Sequence, residues 1–420
     1  MNNDLSNNNE PVDNVRPPSP DHAPEWLARQ DEKMIIEENE TYKHQMMNTW
    51  EDYNLKTDLL RGIYNYGFEN PSEIQKRAIQ PIILEQDLIA QAQSGSGKTG
   101  TFSIGTLQRI DVDDKKTQAI IIAPTHELAK QISSVITALG SSMKGLVVKT
   151  MLGGSSVNAD RDSIKESPPH VIVGCAGRIQ DMIRRKILNI SNLKLCVIDE
   201  ADEMLSRGFK DQIRNIFNYF GETVQIALFS ATLPDDITSL TNKFMKNPVK
   251  ITIKNENLNL ECIKQYFVAI QDDRMKFETL KDLFSYISVS QCIIYCNSVN
   301  RVIDLTYAMN KDGFSVCSIH SSMDKSERER TFAEFRNGKY RVLISSNVTA
   351  RGIDIQQVST VINFDVPHCV HTYLHRIGRS GRWGRKGMAI NFMTRRDIDS
   401  IKRIEAHYKI SIDELPASAL

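Results

Sequence analysis

No stretch of this 420-residue chain approaches the roughly 20 consecutive apolar residues that a membrane-spanning helix needs. Its first residues, MNNDLSNNNE, lack an apolar core behind a basic start and do not read as a secretory leader. No membrane partner is expected, and the expected setting is cytoplasmic or nuclear. An excess of one charge is missing too: 52 Lys and Arg face 52 Asp and Glu. Any grip on a polyanion must therefore come from local basic groups and oriented backbone N–H groups. The seven cysteines form no CxxC pair, and Cys292 and Cys296 fall in QCIIYC, an apolar run that reads as a buried strand of reduced thiols. The cluster His368, Cys369, His371 and His375 has no HExxH or CxxC beside it, so a zinc site is not expected there.

What is present is a long chain with several distinct regions. Its length suits two or three domains of roughly 100–200 residues each. Residues 1–24 are rich in Asn, Pro, Ser and Asp and too poor in apolar residues to offset chain entropy, which predicts disorder. A charged, mildly amphipathic stretch from Trp26 to Met47 predicts a helix, so 1–47 is read as a disordered or partly helical extension. Short β-branched runs then alternate with helical-period segments: DLIA (87–90), AIIIA (119–123), HVIVG (170–174), LCVID (195–199) and QIALFS (225–230). The alternation restarts with QCIIYC, FSVCSI, RVLIS, TVINF and MAINFM. Continuous apolar strands separated by helices predict mostly parallel sheets covered on both faces. The chain thus divides into a first α/β lobe at 48–253, a polar linker at 254–260 and a second lobe at 261–420.

Chemistry is concentrated at a few points. In LIAQAQSGSGKT (88–99) a strand runs into a Gly-rich turn and then a helix beginning near Lys98. Gly95 and Gly97 let the backbone curl its N–H groups around one anion, and the helix N-terminus adds partial positive charge. Lys98 would pair with the β- and γ-phosphates and Thr99 would bind Mg²⁺. Ala92 stands where the usual pattern has its first Gly. LCVIDEAD (195–202) sets acids at the end of an apolar strand, where open α/β sheets bind their ligands. Beside a phosphate loop on a neighbouring strand, Asp199 is suited to hold Mg²⁺ and Glu200 to orient the attacking water. In SAT (230–232), Ser230 and Thr232 could hydrogen-bond Asp202 and relay nucleotide state; a plain helix cap before LPDDI fits equally well. YLHRIGRSGR (373–382) holds more arginines than a helix cap needs. If Arg379 and Arg382 reach the γ-phosphate from the opposite lobe they act as arginine fingers, worth about 10³–10⁵ in rate, or roughly 4–7 kcal/mol of barrier. In GFENPSEIQ (67–75), Ser72 and Gln75 fit a capping box, yet a planar amide could also read an adenine edge with Phe68 nearby.

These elements, in this order, resemble the DEAD-box RNA helicase family across nearly all of residues 48–420, most strongly its initiation-factor-4A branch. LLRGIYNYGFENPSEIQKRAI, VIDEADEMLSRGFKDQI, ARGIDIQQVSTVINFDVP and HRIGRSGRWGRKG carry the likeness. The resemblance implies two tandem RecA-like lobes, each a mostly parallel sheet with helices on both faces, and an RNA-dependent ATPase that unwinds short duplexes locally. It implies ATP and Mg²⁺ bound between the lobes by Phe68, Gln75, Ala92, Gln93, Ser94, Gly95, Ser96, Gly97, Lys98, Thr99, Asp199, Glu200, Asp354, Arg379 and Arg382, with Trp50 standing where the family keeps an aromatic beside the adenine site. Ser230, Thr232, Asp202 and His375 would couple the nucleotide to RNA. RNA would be gripped by its backbone, independently of sequence, through Pro124, Thr125, Gly153, Gly154, Gly177 and Arg178 on the first lobe. Asn297, Arg328, Ser345, Ser346 and Gly352 occupy the family's RNA-facing motifs on the second. A monomer is expected, with a protein activator of the initiation-factor scaffold type as a candidate partner.

The departures from the family pattern fall mostly on the RNA side. His126 replaces an Arg, Cys175-Ala176 a Thr-Pro pair and Val299-Asn300 two basic residues; Lys325 stands at the usual Gln and Asn347 at the usual Asp. Each lost phosphate contact would flatten the salt dependence of binding by roughly 0.7 for a single strand. The competing expectation is a non-catalytic, ATP-dependent RNA clamp or scaffold. The retained Glu200 argues against it.

Overall fold

The computed structural model describes residues 35–36, 47–92, 95–206, 209–233, 241, 243–254, 263–286, 290–347, 358–380 and 387–416. Two sheets organise them. The strands of the first are β1 (Ile35–Ile36), β2 (Leu88–Gln91), β3 (Ala119–Ile122), β4 (Val148–Met151), β5 (Val171–Gly174), β6 (Leu195–Ile198), β7 (Gln225–Ser230) and β8 (Val249–Lys254). Their spatial order is β1-β8-β2-β7-β6-β3-β5-β4. All pairs are parallel except β1 on β8. The second sheet holds β9 (Ile263–Ala269), β10 (Cys292–Tyr295), β11 (Val316–Ile319), β12 (Val342–Ser345), β13 (Thr360–Asn363), β14 (Gly387–Met393) and β15 (Asp413–Glu414). They run in the order β11-β12-β10-β13-β14-β9-β15, every pair parallel.

Separate apolar clusters cover both faces of each sheet, which is why the central strands are continuously apolar. Two-lobed α/β architecture with mostly parallel sheets is what the residues predict, and the structure has it. Three differences stand out. Ile35–Ile36, within the stretch expected to be helical, instead extends along the edge strand β8. The edge strand β4 escaped the sequence reading because its VKTM is mostly half-exposed or exposed and lacks an apolar run. The acids after β6 do not neighbour the phosphate-loop strand directly, because β7 lies between β6 and β2. Most of the expected linker lies outside the described residues.

The order β2-β7-β6 fixes what the sheet can do. Three adjacent strand ends deliver the Gly-rich turn, the SAT segment and the DEAD acids to one edge. Ligands bind at such an edge in open parallel sheets.

Candidate nucleotide and RNA site

The phosphate loop is shaped by glycine. Gly95 and Gly97 have φ of 84° and 101°, a region that side chains disfavour, and Gly97 caps the helix Lys98–Arg109. Lys98 turns its ammonium back onto the Ala92 carbonyl, and the Ala92 N–H donates to the Ser230 carbonyl on β7. Gln93 and Ser94 lie outside the described residues.

The helix Glu73–Ile83 braces this loop. Ser72 and Gln75 form the capping box, with the Ser72 N–H donating to the Gln75 Oε1 at 2.7 Å. The same two residues reach the phosphate loop: Ser72 Oγ donates to the Ser96 carbonyl at 2.9 Å and Gln75 Nε2 to the Gly97 carbonyl at 3.4 Å. A Cβ on Gly100 would lie 2.6 Å from Gln75 Nε2, so a glycine is needed for this approach. Gln75 is therefore a cap and a loop brace at once. Beside it, Phe68 stacks on Trp50 with centroids 6.3 Å apart. Trp50 is fully buried and donates its indole N–H to the Phe68 carbonyl at 3.1 Å. It thus supports Phe68 from below and has no face of its own toward a base.

Across β7 the acids are crowded and dry. Asp199 is 3% exposed, and burial, reinforced by the charge of Glu200 and opposed by that of Lys98, pushes its carboxyl up to about 7. Glu200 has φ of 50°, unusual for a residue with a side chain and a form of strain that clusters at functional sites. A buried carboxyl held near neutrality, facing a lysine and an anion cradle, fits an Mg²⁺–triphosphate group.

Asp202 is the centre of the seam. Thr232 Oγ1 donates to its Oδ2 at 2.9 Å, and the Asp202 N–H donates to Ser230 Oγ at 3.2 Å. The SAT hydroxyls therefore hold Asp202 rather than only capping a helix. His375, on the second-lobe helix Val370–Ile377, places Nε2 3.2 Å from the same Asp202 Oδ2, with both side chains 3% exposed. One turn further on, Arg379 is 3% exposed and its Nε donates to the His375 carbonyl at 3.2 Å. Arg382 and Asp354 lie outside the described residues.

The residues expected to face RNA behave differently. Gly154 is exposed with φ of 83°, Gly177 is exposed, and Thr125 caps the helix His126–Leu139 through a 3.2 Å bond from the Leu128 N–H. Pro124 is buried at the preceding strand end. Three candidates turn inward here, each toward a partner within the protein. Arg178 is 9% exposed, donating to Asp160 Oδ2 at 2.9 Å and to the Ser155 carbonyl, so it braces the chain after Gly153-Gly154. Arg328 reaches across to Glu127 of the first lobe at 2.8 Å. Ser345 has 0% exposure and donates to the Ile319 carbonyl at 2.7 Å. Asn297 has both amide ends engaged, by Arg376 and by the Val366 carbonyl. Ser346 is buried, and Gly352 lies outside the described residues.

Sequence reasoning missed Ser72 as a loop brace, Glu127 as an interlobe partner and Arg376 as a buried hub. Ser72 was legible only as a cap. The other two needed partners distant in the chain.

An anion cradle, a buried acid cluster and a second lobe touching that cluster define a two-lobed nucleotide-driven motor of the helicase type. Residues 72–240 match the DEAD/DEAH box helicase model and residues 275–384 match the helicase conserved C-terminal domain; the chain belongs to the DEAD/DEAH box helicase family. It is 49% identical over 374 residues to Eukaryotic initiation factor 4A of Caenorhabditis elegans, covering 89% of this chain and 92% of that protein. It is 48% identical over 377 residues to ATP-dependent RNA helicase eIF4A of Schizosaccharomyces pombe, covering 90% and 96%. Among solved structures it superposes on S. cerevisiae Dbp5 bound to RNA and ADP BeF3 with a TM-score of 0.81, 33% identity and coverage of 88% and 96%. Against a Dbp5 variant bound to Nup159, a Gle1 variant, IP6 and ADP the TM-score is 0.61, at 32% identity and coverage of 86% and 96%.

Proposed function

We propose that this chain is an ATP-dependent RNA helicase of the initiation-factor-4A type, in which nucleotide binding at the seam closes the lobes on single-stranded RNA. The observation that carries the reading is the His375–Asp202 contact, 3.2 Å, which ties the second lobe to the acid cluster of the first. The higher TM-score against the RNA- and ADP BeF3-bound Dbp5 supports taking this arrangement as the closed one.

Gly95, Gly97 and the Lys98 ammonium hold the triphosphate, while Thr99 and Asp199 hold Mg²⁺. Mg²⁺ held by these two residues would supply charge neutralisation to the triphosphate. Phe68, backed by Trp50, offers a face to the base. Glu200 orients the attacking water beside the γ-phosphate. Arg379 enters with the second lobe and opposes charge developing on the transferred group. Its arrival depends on closure, and closure depends on the strand between the lobes, so hydrolysis follows RNA. The exposed glycine turns and the capped helix at Thr125 suit backbone rather than base recognition.

A cytoplasmic monomer accords with this role, and a scaffold-type activator would act by aligning the lobes. The clamp reading is not favoured, because Glu200 and Arg379, which turnover would use, are both retained. Phosphate release measured with and without single-stranded RNA tests the proposal, with Glu200→Gln as control. Strong stimulation by RNA is expected, and equal rates would contradict it.

A further inference from the structure

We propose that Asn347 is an RNA contact of the second lobe: its amide oxygen closes the cage around the buried Arg376, which turns its amide N–H group outward to donate to a backbone phosphate of the bound strand. This rests on the helicase reading and adds a residue that reading does not contain.

Arg376 has 0% exposure. Its guanidinium donates to Asn347 Oδ1 from Nε at 2.9 Å and from Nη2 at 2.6 Å, to Asn297 Oδ1 at 2.7 Å, to Asn363 Oδ1 at 3.1 Å and to the Asp365 carbonyl at 2.8 Å. A guanidinium has no acceptor, so each amide around it must present oxygen. That fixes the direction of all three NH₂ groups. Asn297 uses its own on the Val366 carbonyl at 2.9 Å, and Asn363 uses its own on Asn391 Oδ1 at 2.8 Å. Asn347 differs. Its side chain is exposed, and no described residue accepts from its NH₂ group.

The position is favourable for a strand. Asn347 follows Ser345-Ser346 at the carboxyl end of β12, and Arg376 is the immediate neighbour of His375 at the seam. Among the described residues no carboxylate touches the guanidinium, because that of Asp365 is taken by Lys276 at 3.2 Å and Arg301 at 2.9 Å. Burial accordingly lowers Arg376 to about 10. A carboxylate at 347 would complete an ion pair inside but would present a negative oxygen to passing phosphates. The amide removes that charge and supplies a donor.

The test compares the full-length wild type with Asn347→Asp and Asn347→Ala. It reads thermal stability and affinity for a short single-stranded RNA, with a non-hydrolysable ATP analogue, at low and high salt. Asn347→Asp is expected to raise the Tm yet weaken RNA binding at low salt by about tenfold, the scale of one hydrogen bond to a charged group. The gap should narrow as salt screens the added charge. Asn347→Ala should lower both stability and affinity. A structural role alone would move Tm and affinity together in both variants. Asn347→Asp binding RNA as tightly as wild type would overturn the contact, as would a loss equal at all salts, which indicates a ribose hydroxyl instead of phosphate. A lower Tm in Asn347→Asp would overturn the cage. Failure of the wild type to bind RNA would instead bring down the helicase reading itself.

Discussion

The two sides of the interlobe cleft are built on opposite principles. On the nucleotide side, groups are held in costly states: Asp199 is buried and pushed up to about 7, and Glu200 sits at φ of 50°. On the RNA side, the charged groups satisfy one another, as in Arg178 with Asp160 and Arg328 with Glu127. A buried charge without a partner is expensive, whereas paired charges and backbone turns can wait for a ligand at little cost. The nucleotide site is therefore primed for one multiply charged ligand. The proposed RNA side carries glycine turns and a helix terminus, groups that would suit the backbone of any strand of fitting shape.

The largest expected effect lies on the primed side. Glu200→Gln should lower phosphate release by about 10²–10⁴, the usual scale for a positioned base, while leaving RNA binding with an ATP analogue intact. Loss of RNA binding together with hydrolysis would blur the division between the two sides. Next comes the link between the lobes. His375→Ala should reduce RNA-stimulated turnover by at least about tenfold, as expected for a buried hydrogen bond to a carboxylate. The loss in Asp202→Asn should be less than additive with it in the double variant, since the two changes share the His375–Asp202 contact while Asp202 also holds Thr232.

Asp199 gives a stability signature. Its folded-state pKa, about 7, lies above the ordinary 3.8, so the ionised carboxyl opposes folding. That cost is absent at low pH, grows as pH rises above 3.8 and is complete above about 7. Asp199→Asn should therefore raise the Tm of the ligand-free protein more at pH 8 than at pH 5, by several degrees; scanning calorimetry at the two pH values checks this. An equal gain at both would mean that Asp199 titrates normally.

The smallest effects belong to the self-satisfied side. Reversing the 15%/13% exposed pair with Arg328→Glu should weaken closure on RNA, and adding Glu127→Arg should recover part of the loss. Lys130→Ala removes a second interlobe pair, to Glu329, that is 45%/36% exposed. It should change RNA affinity by less than about fivefold.

The sequence was most legible where chemistry is local. The apolar runs ending at Gln91, Ile198 and Ser230 mark the strands that carry the nucleotide site, because a strand buried on both faces has to be continuously apolar. The Gly95–Thr99 turn and the 199–202 acids follow from their strand ends. Direction was not legible. Nothing near Arg178 announces Asp160, and nothing near Arg328 announces Glu127, because the choice between strand and internal partner is made by tertiary packing. Trp50 read as an aromatic beside the base, yet burial places it under Phe68. Arg376 read as one member of a basic cluster, whereas amides from three separate strand ends enclose it.

Coupling between the two sides is measured most directly by the affinity for single-stranded RNA with and without a non-hydrolysable ATP analogue, in the wild type and in Asp202→Asn. If the acid cluster transmits nucleotide occupancy through His375, the analogue should tighten RNA binding at least about tenfold, a typical coupling between linked sites, and Asp202→Asn should erase most of that gain. The same affinity with and without the analogue would contradict the account.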